Sequence, residues 1–409
     1  MRKKKRLNFL FSWINMDYLA VNFFLFLSVS MIGAITFNMT VFDPIKKALS
    51  DFNFSDLLYS KLNTTQETLD TNIVLVNIGH LDRAGIATQI RRIRKNNPKV
   101  IGFDSFFSAR RDSVTDAFLS EQLSEGNNFI MACYLTGKEE LTGQFDSLET
   151  SDPYFSSGNK GFVNLGGAHP ETSTVRTFSP REVFKGDTLY SLGASLVKRF
   201  DPPAFSKLME RDNRREIINY RGNTDAYIRF DVYELFDSTT DLSIIKDKIV
   251  LMGYIGESFG GPPDLEDIYY TPMNAELSGR SRPDMYGVVI HANIISMILS
   301  ENYITVMPVW LCIFLSFILC YFYIAFITWL GEKNPLLSNL IFPVFLLVLN
   351  VLLIYIFFLI YKYWNFSINS GFFLAPILLY KTFLTYYERA LLVINRKIKI
   401  HSRFLPKKK

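Results

Sequence analysis

Hydrophobic and polar positions divide the chain into four long apolar stretches and one long segment in which apolar and polar residues alternate. One stretch lies near the start, at Tyr18–Phe42, and three follow one another near the end, at Val306–Leu330, Leu336–Tyr361 and Phe366–Tyr387. Each is long enough to cross roughly 30 Å of bilayer hydrocarbon as an α-helix. Lys381 interrupts the last stretch, but a lysine near a helix end can extend its ammonium group to the membrane surface. The pattern therefore predicts four transmembrane helices.

Charged residues are distributed unevenly between the two ends of the chain and the segment between the first two spans. Residues 43–301 hold 36 of the 39 acidic residues but only 28 of the 44 basic ones, and 1–17 and 388–409 are rich in lysine and arginine. Basic flanks mark the cytoplasmic side of a membrane, and four crossings return the chain to the side where it began. We therefore expect cytoplasmic termini and an outward segment at 43–305. The net charge of +5 averages these unlike parts and does not indicate nucleic-acid binding.

A cleavable signal peptide is the alternative interpretation of the basic start and first apolar run. That run is too long for such a peptide, and no small-residue cleavage site follows it, so an uncleaved anchor is favoured. The spans contain few polar or ionisable residues, whereas transporters need them along a pathway. The spans are therefore predicted to anchor the protein in the lipid bilayer and to bind a partner.

Short apolar runs alternate with amphipathic ones in the outward segment. Nearly continuous apolar strands separated by amphipathic helices are typical of a parallel sheet that is buried on both faces. The sequence therefore predicts an α/β domain with a largely parallel sheet, in addition to the four transmembrane helices. The predicted strands are Ile73–Ile78, Val100–Phe103, Phe129–Leu135 and Ile249–Ile255, and the predicted helices are Ala84–Lys95, Val114–Leu123 and Ser191–Phe200.

Two regions of the outward segment have less regular patterns. A strand pair is expected at Ile217–Tyr220 and Ala226–Phe230, and Asp43–Asp70 is expected to form a helix or lid before the first strand. Cys133 is the only cysteine of the segment, so an internal disulfide is excluded there.

Three ordered phrases give the outward segment a specific resemblance. They are Pro98–Phe107 (PKVIGFDSFF), Asp247–Gly253 (DKIVLMG) with its following acidic loop and Thr271–Pro272, and Gly287–Asn293 (GVVIHAN). Together with one span before and three after, they resemble the type 2 CHASE domain, over about Asn72–Tyr303 and the terminal spans. The resemblance implies an extracytoplasmic sensory module of the bacterial inner membrane, with the large domain in the periplasm.

The chain departs from that family in two places. Members of the family usually continue after the last span into a cytoplasmic cyclase or kinase domain, whereas this sequence ends about twenty residues beyond Tyr387. The output is therefore expected to belong to a separate partner. The first loop, Gly79–Ile86, also lacks the family's usual phrases, so its ligand chemistry is expected to differ.

Several polar residues follow predicted strands, and the carboxyl ends of parallel strands meet at one edge where ligands commonly bind. Each residue also has a structural interpretation. Asp82 and Asp104 are also suited to capping the next helix, and for Asp104 capping or loop hydrogen bonding is favoured over a ligand role. The candidate ligand-binding residues at this edge are His80, Asp82, Arg83, Asp104 and Glu257.

Five further candidates lie outside these strand ends. His291 opens a helix that leads toward the second span, although a buried core histidine is the favoured alternative. Asp264 and Asp267 belong to a loop that suits either a cation or plain solvation. Arg176 and Arg221 suit an anionic ligand or pairing with nearby acids.

The sequence contains no metal-ligand spacing, no nucleophile motif and no phosphate- or dinucleotide-binding loop, so neither a metal, a cofactor nor an enzyme activity is predicted. The first hypothesis is a membrane-anchored sensory or recognition protein that binds a ligand or protein and passes the signal to a separate partner. The alternative is a structural scaffold subunit of a bacterial envelope or secretion complex. A protein partner in the membrane is expected in either case, and a homo-oligomer is left open.

Overall fold

The computed structural model describes residues 15–38, 69–139, 142–155, 158–165, 174–261, 266–274, 282–333 and 335–405. By its internal contacts the chain separates into two compact units, Met1–Leu49 with Thr305–Lys409 and Ser50–Ile304. We call the first the helical unit and the second the α/β domain.

The described helices and strands alternate through the α/β domain, and long helices make up the helical unit. The α-helices are α1 (Met16–Asn38), α2 (Arg83–Lys95), α3 (Ser113–Ser124), α4 (Leu192–Phe200), α5 (Pro202–Glu210), α6 (Gly287–Leu299), α7 (Val309–Lys333), α8 (Pro335–Trp364) and α9 (Gly371–Lys397). The strands are β1 (Asp70–Asn77), β2 (Val100–Asp104), β3 (Phe129–Lys138), β4 (Phe145–Glu149), β5 (Lys160–Phe162), β6 (Thr177–Phe178), β7 (Arg181–Phe184), β8 (Asp187–Tyr190), β9 (Glu216–Ile217), β10 (Tyr227–Phe230), β11 (Ile249–Gly253), β12 (Ile268–Tyr269), β13 (Met285–Tyr286), β14 (Thr305–Val306) and β15 (Phe366–Ser367).

The sheet of the α/β domain is mainly parallel, as the apolar runs predicted. Strands β10, β1, β11, β2 and β3 are neighbours in that order and all run in one direction, and β5 adds a further parallel pairing to β3. The long β3 also pairs antiparallel with β4. Strand β4 pairs in parallel with β7, and β7 pairs antiparallel with β8. The domain is therefore an α/β fold with a parallel centre and a partly antiparallel edge.

Helices cover both faces of the central strands. Val74, Ile101 and Val250 pack on one face against apolar residues of α2 and α3. Gly102 faces the other side, where α4 and α6 contact the sheet. Because both faces are covered, β2 and β11 are almost wholly buried along their length, which explains their uninterrupted apolar sequences.

Two glycines allow α4 to approach the sheet closely. A Cβ atom on Gly161 would lie 2.6 Å from the Leu192 Cα atom, and one on Gly102 would lie 2.6 Å from the Leu196 Cδ1 atom. The first obstacle is backbone at the start of α4, whereas the second is the end of a side chain that can rotate. The two positions therefore tolerate a methyl group to different degrees.

We expect Gly161→Ala to lower the free energy of unfolding of the α/β domain by about 1–2 kcal/mol, the usual cost of overpacking. Gly102→Ala should cost less because Leu196 can move. The urea concentration at which the buried Cys133 thiol becomes reactive to a maleimide would measure both, in a chain whose Cys312 and Cys320 are alanine. A larger loss for Gly102→Ala would contradict this reasoning.

One predicted feature of the α/β domain is wrong, and another falls outside the described residues. The segments Ile217–Tyr220 and Ala226–Phe230 do not pair with each other, because β9 pairs with β6 and β10 pairs in parallel with β1. The helix or lid predicted at Asp43–Asp70 lies almost entirely outside the described residues.

In the helical unit, three described helices are long and apolar enough to cross a membrane: Met16–Ala34, Val309–Lys333 and Phe342–Trp364. The fourth predicted span, Phe366–Tyr387, corresponds mostly to α9, which is not among them. Its hydropathy is lower because α9 contains Lys381 and several tyrosines. The structure therefore supports three of the four predicted spans by length and composition.

The long helices pack together through a shared apolar cluster that draws residues from α1, α7, α8 and α9. Two polar side chains within it donate to backbone carbonyls of neighbouring helices. Asn22 Nδ2 donates to the Phe317 carbonyl over 2.8 Å, and Ser316 Oγ donates to the Phe372 carbonyl over 2.6 Å. Such bonds stabilise packing where water is absent.

Candidate functional site

The carboxyl ends of β1, β11 and β2 lie side by side, with Asn77, Gly253 and Asp104 in register across the three strands. The Asn77 side chain closes one part of this edge. Its amide oxygen accepts from the backbone N–H groups of Gly79 and Ile255, and its amide nitrogen donates to the Asp231 carboxylate. This part of the edge is filled by a hydrogen-bonded network. The cavity therefore lies farther along, at the ends of β11 and β2 and beside the middle of β3.

A cavity of about 280 Å³ lies at these strand ends. Polar groups converge on it from β2, from the loop before β12 and from α6, and aromatic side chains form much of its wall. We call it the acid–histidine pocket. Its lining residues are Asp104, Ser105, Phe106, Tyr134, Val163, Leu165, Tyr254, Glu266, Asp267, Tyr269, Gly287 and His291.

Asp104 and His291 face each other in this pocket without a direct hydrogen bond. His291 Nε2 lies 3.9 Å from Asp104 Oδ2, and the two side chains are 3% and 9% exposed. Asp104 is the last residue of β2, and His291 lies in the second turn of α6, which packs on β1 and β11. His291 Nδ1 is buried and has no hydrogen-bond partner among the described residues. Both groups therefore have unused hydrogen-bonding capacity.

Asp267 reaches the pocket because the backbone around it is unusual. Its φ angle is +52°, a left-handed conformation that aspartate tolerates better than most residues. Its carbonyl accepts from the Gly287 N–H over 3.0 Å. A Cβ atom on Gly287 would lie 3.0 Å from the Asp267 carboxyl, so glycine at the start of α6 makes room for this side chain.

Burial dominates the electrostatics of the three groups. It raises the pKa of Asp104 to about 7, and burial together with the nearby Asp104 charge raises the pKa of Asp267 similarly. Burial lowers the pKa of His291 to about 4. At neutral pH the imidazole is therefore uncharged, and the two carboxyls retain protons that exposed aspartates would lose.

Aromatic residues of the pocket were not singled out from the sequence. Tyr134 lies near the middle of β3, Tyr254 directly follows β11, and Tyr269 lies in β12. Tyr254 was missed because the predicted strand, Ile249–Ile255, included it, whereas the observed β11 ends at Gly253. The Tyr254 hydroxyl makes a 3.1 Å hydrogen bond with His80 Nε2, so His80 supports the wall of the pocket from outside its lining.

Three other residues predicted at the strand ends lie elsewhere. Asp82 caps α2 by accepting from the Gly85 N–H over 2.7 Å, as its structural interpretation held. Arg83 forms a buried pair with Asp116. Glu257 is exposed on the loop after β11 and does not line the pocket. The capping role favoured for Asp104 is not observed, because the cap of the next helix, α3, is Asp112.

The two predicted arginine sites are also separate from the pocket. The Arg221 N–H donates to Asn293 Oδ1 over 2.7 Å, and its guanidinium lies 3.5 Å from Ser296 Oγ on α6. The Arg176 carbonyl accepts from the Ile218 N–H. Asp264 lies outside the described residues. The structure thus brings together Asp104, Asp267 and His291 from the predicted set.

A wider groove of about 740 Å³ runs along the antiparallel strands, where Lys138, Arg181 and Asp212 are among its lining residues. None of the predicted site residues lines it. In the part of the chain that the structure describes, no group of three or more histidine, cysteine or acidic side chains is placed to hold a metal ion. The acid–histidine pocket is therefore the stronger candidate site.

Comparison with protein families decides what kind of domain carries this pocket. The model of the CHASE2 domain matches residues 33–328, which is most of the chain. The chain belongs to the CHASE2 domain family. The resemblance recognised in the three sequence phrases is thereby confirmed. No curated protein and no solved structure matches the chain.

CHASE2 is an extracytoplasmic sensory domain, so the α/β domain is of a kind that lies outside the cytoplasm. The match begins within α1 and ends within α7, so it also includes parts of two helices that could cross a membrane. A CHASE2 domain flanked by such helices is consistent with sensing at a membrane.

Proposed function

We propose that this CHASE2 protein is a membrane-anchored sensor in which the acid–histidine pocket binds a small ligand. The observation that carries the proposal is the pair Asp104 and His291, which are buried at the strand ends with unused hydrogen-bonding capacity. A buried polar group without a partner costs free energy, and a ligand that supplies the partner recovers it. The pocket is also concave and largely preformed, as small-molecule sites are.

The position of His291 suggests how occupancy would be transmitted. His291 lies on α6, whose residues from Gly287 to Ile298 are all buried, and nine residues (300–308) separate α6 from α7. A ligand that pulls on His291 would act on a helix that is joined to a membrane-spanning helix by a short connection. Displacement of α6 is therefore the proposed first step of the signal.

The protein is proposed to lie in a membrane and to signal through a separate partner. Four spans, cytoplasmic termini and a place in the bacterial inner membrane are supported by the apolar stretches and the basic flanks of the sequence. The proposal assigns the protein no catalytic step. A separate protein in the membrane would read the signal from the helical unit.

Ligand binding is tested by a thermal-shift screen of the full chain in mild detergent, with unfolding followed through Cys133 labelling. A compound present at about 100 times its Kd should stabilise the domain by about 2.7 kcal/mol, or roughly 5–10 °C in Tm. His291→Gln should abolish the shift, and the exposed Glu257→Gln should leave it unchanged.

A different outcome would support a scaffold. If no compound produces a shift that depends on His291, and a stoichiometric protein co-purifies with the full chain but not with a chain lacking 43–301, the α/β domain is a docking surface. That result would replace the sensor proposal.

A further inference from the structure

We infer that the ligand of the acid–histidine pocket is a small organic cation with a primary ammonium group, bound by Asp104 and Asp267. The inference rests on the proposed function, because it names the chemical class that the same pocket takes. Four observations support it: the charge of the lining, the contrast between Asp104 and other buried acids, the position of His291, and the aromatic wall.

The charge of the lining is one-sided. Among the residues that the structure describes, the lining includes Asp104, Glu266 and Asp267 but neither lysine nor arginine. His291 is neutral at physiological pH because burial lowers its pKa to about 4. The start of α6 contributes a partial positive charge, but Asp267 already lies against it. An anionic ligand would therefore meet acidic groups that become negative on ionisation, with no lysine or arginine of the described lining to offset them.

Asp104 differs from the other buried acids of the α/β domain. Asp116 has Arg83, and Asp70 accepts from Ser296 Oγ over 2.6 Å. Glu216 accepts from Arg211, with Nε 2.7 Å from Oε1. The Asp104 carboxyl has no such donor among the described residues.

Acids that serve only the fold are thus supplied with donors by the protein itself. The missing donor at Asp104, in a cavity that can hold a small molecule, indicates that the donor is a ligand. An ammonium group supplies up to three N–H donors and a positive charge from one small centre.

The position of His291 indicates which kind of ammonium group fits the pocket. The ring nitrogen of His291 that faces Asp104 is Nε2, which lies 3.9 Å from Asp104 Oδ2 on a side chain that is 3% exposed and lines the pocket. A neutral imidazole nitrogen accepts a hydrogen bond from an N–H group. A primary ammonium can therefore reach both carboxyls and the imidazole, whereas a quaternary ammonium has no N–H to donate.

The wall suits the organic part of such a ligand. Phe106, Tyr134, Tyr254 and Tyr269 line the pocket, and aromatic rings attract organic cations through their faces. A volume of about 280 Å³ is at the small end of ligand pockets, which favours a short carbon chain.

Binding should be coupled to the loss of protons. The titratable groups that face the two aspartates are Tyr134 on β3, Tyr254 after β11, Glu266 before β12, Tyr269 on β12 and His291 on α6. Burial and the Asp267 charge raise the pKa of Tyr269, so it keeps its proton. Asp104 and Asp267 are therefore the groups that must release a proton when the cation enters. Affinity should increase about tenfold between pH 6 and pH 8, because one carboxyl with a pKa near 7 must be ionised.

The test is isothermal titration calorimetry of the full chain in detergent with four probes of similar size: butylammonium chloride, tetramethylammonium chloride, 1-butanol and sodium butyrate. We expect binding of butylammonium, weaker binding of tetramethylammonium, and none of the alcohol or the carboxylate. Titrations in two buffers with different ionisation enthalpies should show proton release near pH 7.

Two pocket variants and one control keep the result interpretable. Asp104→Asn and Asp267→Asn should each weaken butylammonium binding at least tenfold, and Glu257→Gln should not change it. Unfolding curves of the variants test whether they fold, which matters most for Asp267→Asn because the Asp267 carboxyl is hydrogen-bonded to Tyr269.

The outcomes separate the two proposals. No binding of butylammonium, or binding that does not depend on Asp104, overturns the inferred ligand class. If butyrate or 1-butanol binds and His291→Gln abolishes it, the pocket is a ligand site and the sensor proposal stands while the cation is excluded. If every compound that shifts the melting temperature does so equally in all pocket variants, the sensor proposal itself is wrong.

Discussion

Replacing Arg83 by leucine is expected to lower the melting temperature of the α/β domain by about 6–10 °C. Its guanidinium donates to the Asp116 carboxylate and to the Ala109 carbonyl. It also lies over two rings, 5.6 Å from the centroid of Phe107 and 4.9 Å from that of Phe155. Leucine is shorter and carries no donor, so Asp116 would remain as a buried charge without its cation, and the two rings would lose the group that packs on them. Cys133 labelling against temperature measures the loss.

The matched control is an arginine pair on the surface of the same domain. Arg181 pairs with Asp212, but the two side chains are 43% and 78% exposed. Exposed pairs contribute little, so Arg181→Leu should change the melting temperature by about a degree at most. If Arg83→Leu behaves like this control yet removes a ligand-induced shift, then Arg83 is a binding residue, as the sequence first suggested.

Arg83 and Asp104 show what a strand-end rule can and cannot predict. Both follow an apolar strand, so the sequence assigned both to one binding edge. Arg83 turns away because Asp116, 33 positions later on α3, offers it a buried partner. Asp104 remains in the cavity because the cap of α3 is taken by Asp112. Which acid pairs with which cation depends on helix packing, and no local pattern records it.

Other parts of the fold also differ in how far a local sequence pattern predicts them. The central strands were predictable because burial on both faces requires uninterrupted apolar runs, as in Ile249–Gly253. The place of β10 beside β1 was not, because a four-residue strand whose buried residues, Tyr227 and Phe230, lie on opposite faces has no distinctive pattern. Asp267 reaches the pocket with a left-handed backbone, and Gly287 leaves room for its carboxyl. The sequence pattern did not predict that Asp267 and Gly287 lie next to each other in the fold.

The largest pH effect is expected at the two pocket carboxyls, and its sign follows from where they bind protons. Asp104 and Asp267 have a native pKa of about 7, against about 4 when unfolded. Between these values the native state holds protons that the unfolded state releases, so stability falls as pH rises. His291 acts in the opposite direction between about pH 4 and 6.5, because only its unfolded form gains a proton. Because two carboxyls lower the stability as pH rises and only one imidazole raises it, the net effect of the pocket is a loss of stability with rising pH.

Asp104→Asn should therefore stabilise the unliganded domain, with a gain that grows by about 3 kcal/mol between pH 4.5 and pH 8. Asparagine removes one titration and also the charge that raises the pKa of Asp267. Urea midpoints from Cys133 labelling, taken on the full chain across this pH range, would give the difference between variant and parent.

Asp241 provides the control with the opposite sign. It is exposed, and the Ser243 N–H donates to its carboxylate over 2.9 Å, which lowers its pKa. Its contribution is present above its unfolded pKa and is lost only in acid, so Asp241→Asn should cause a small loss of stability that does not change between pH 5 and 8. A gain for Asp104→Asn that is equally flat with pH would show that Asp104 stays ionised in the native state. Some donor already in the protein would then satisfy it, and the pocket would have no vacant place for a cation.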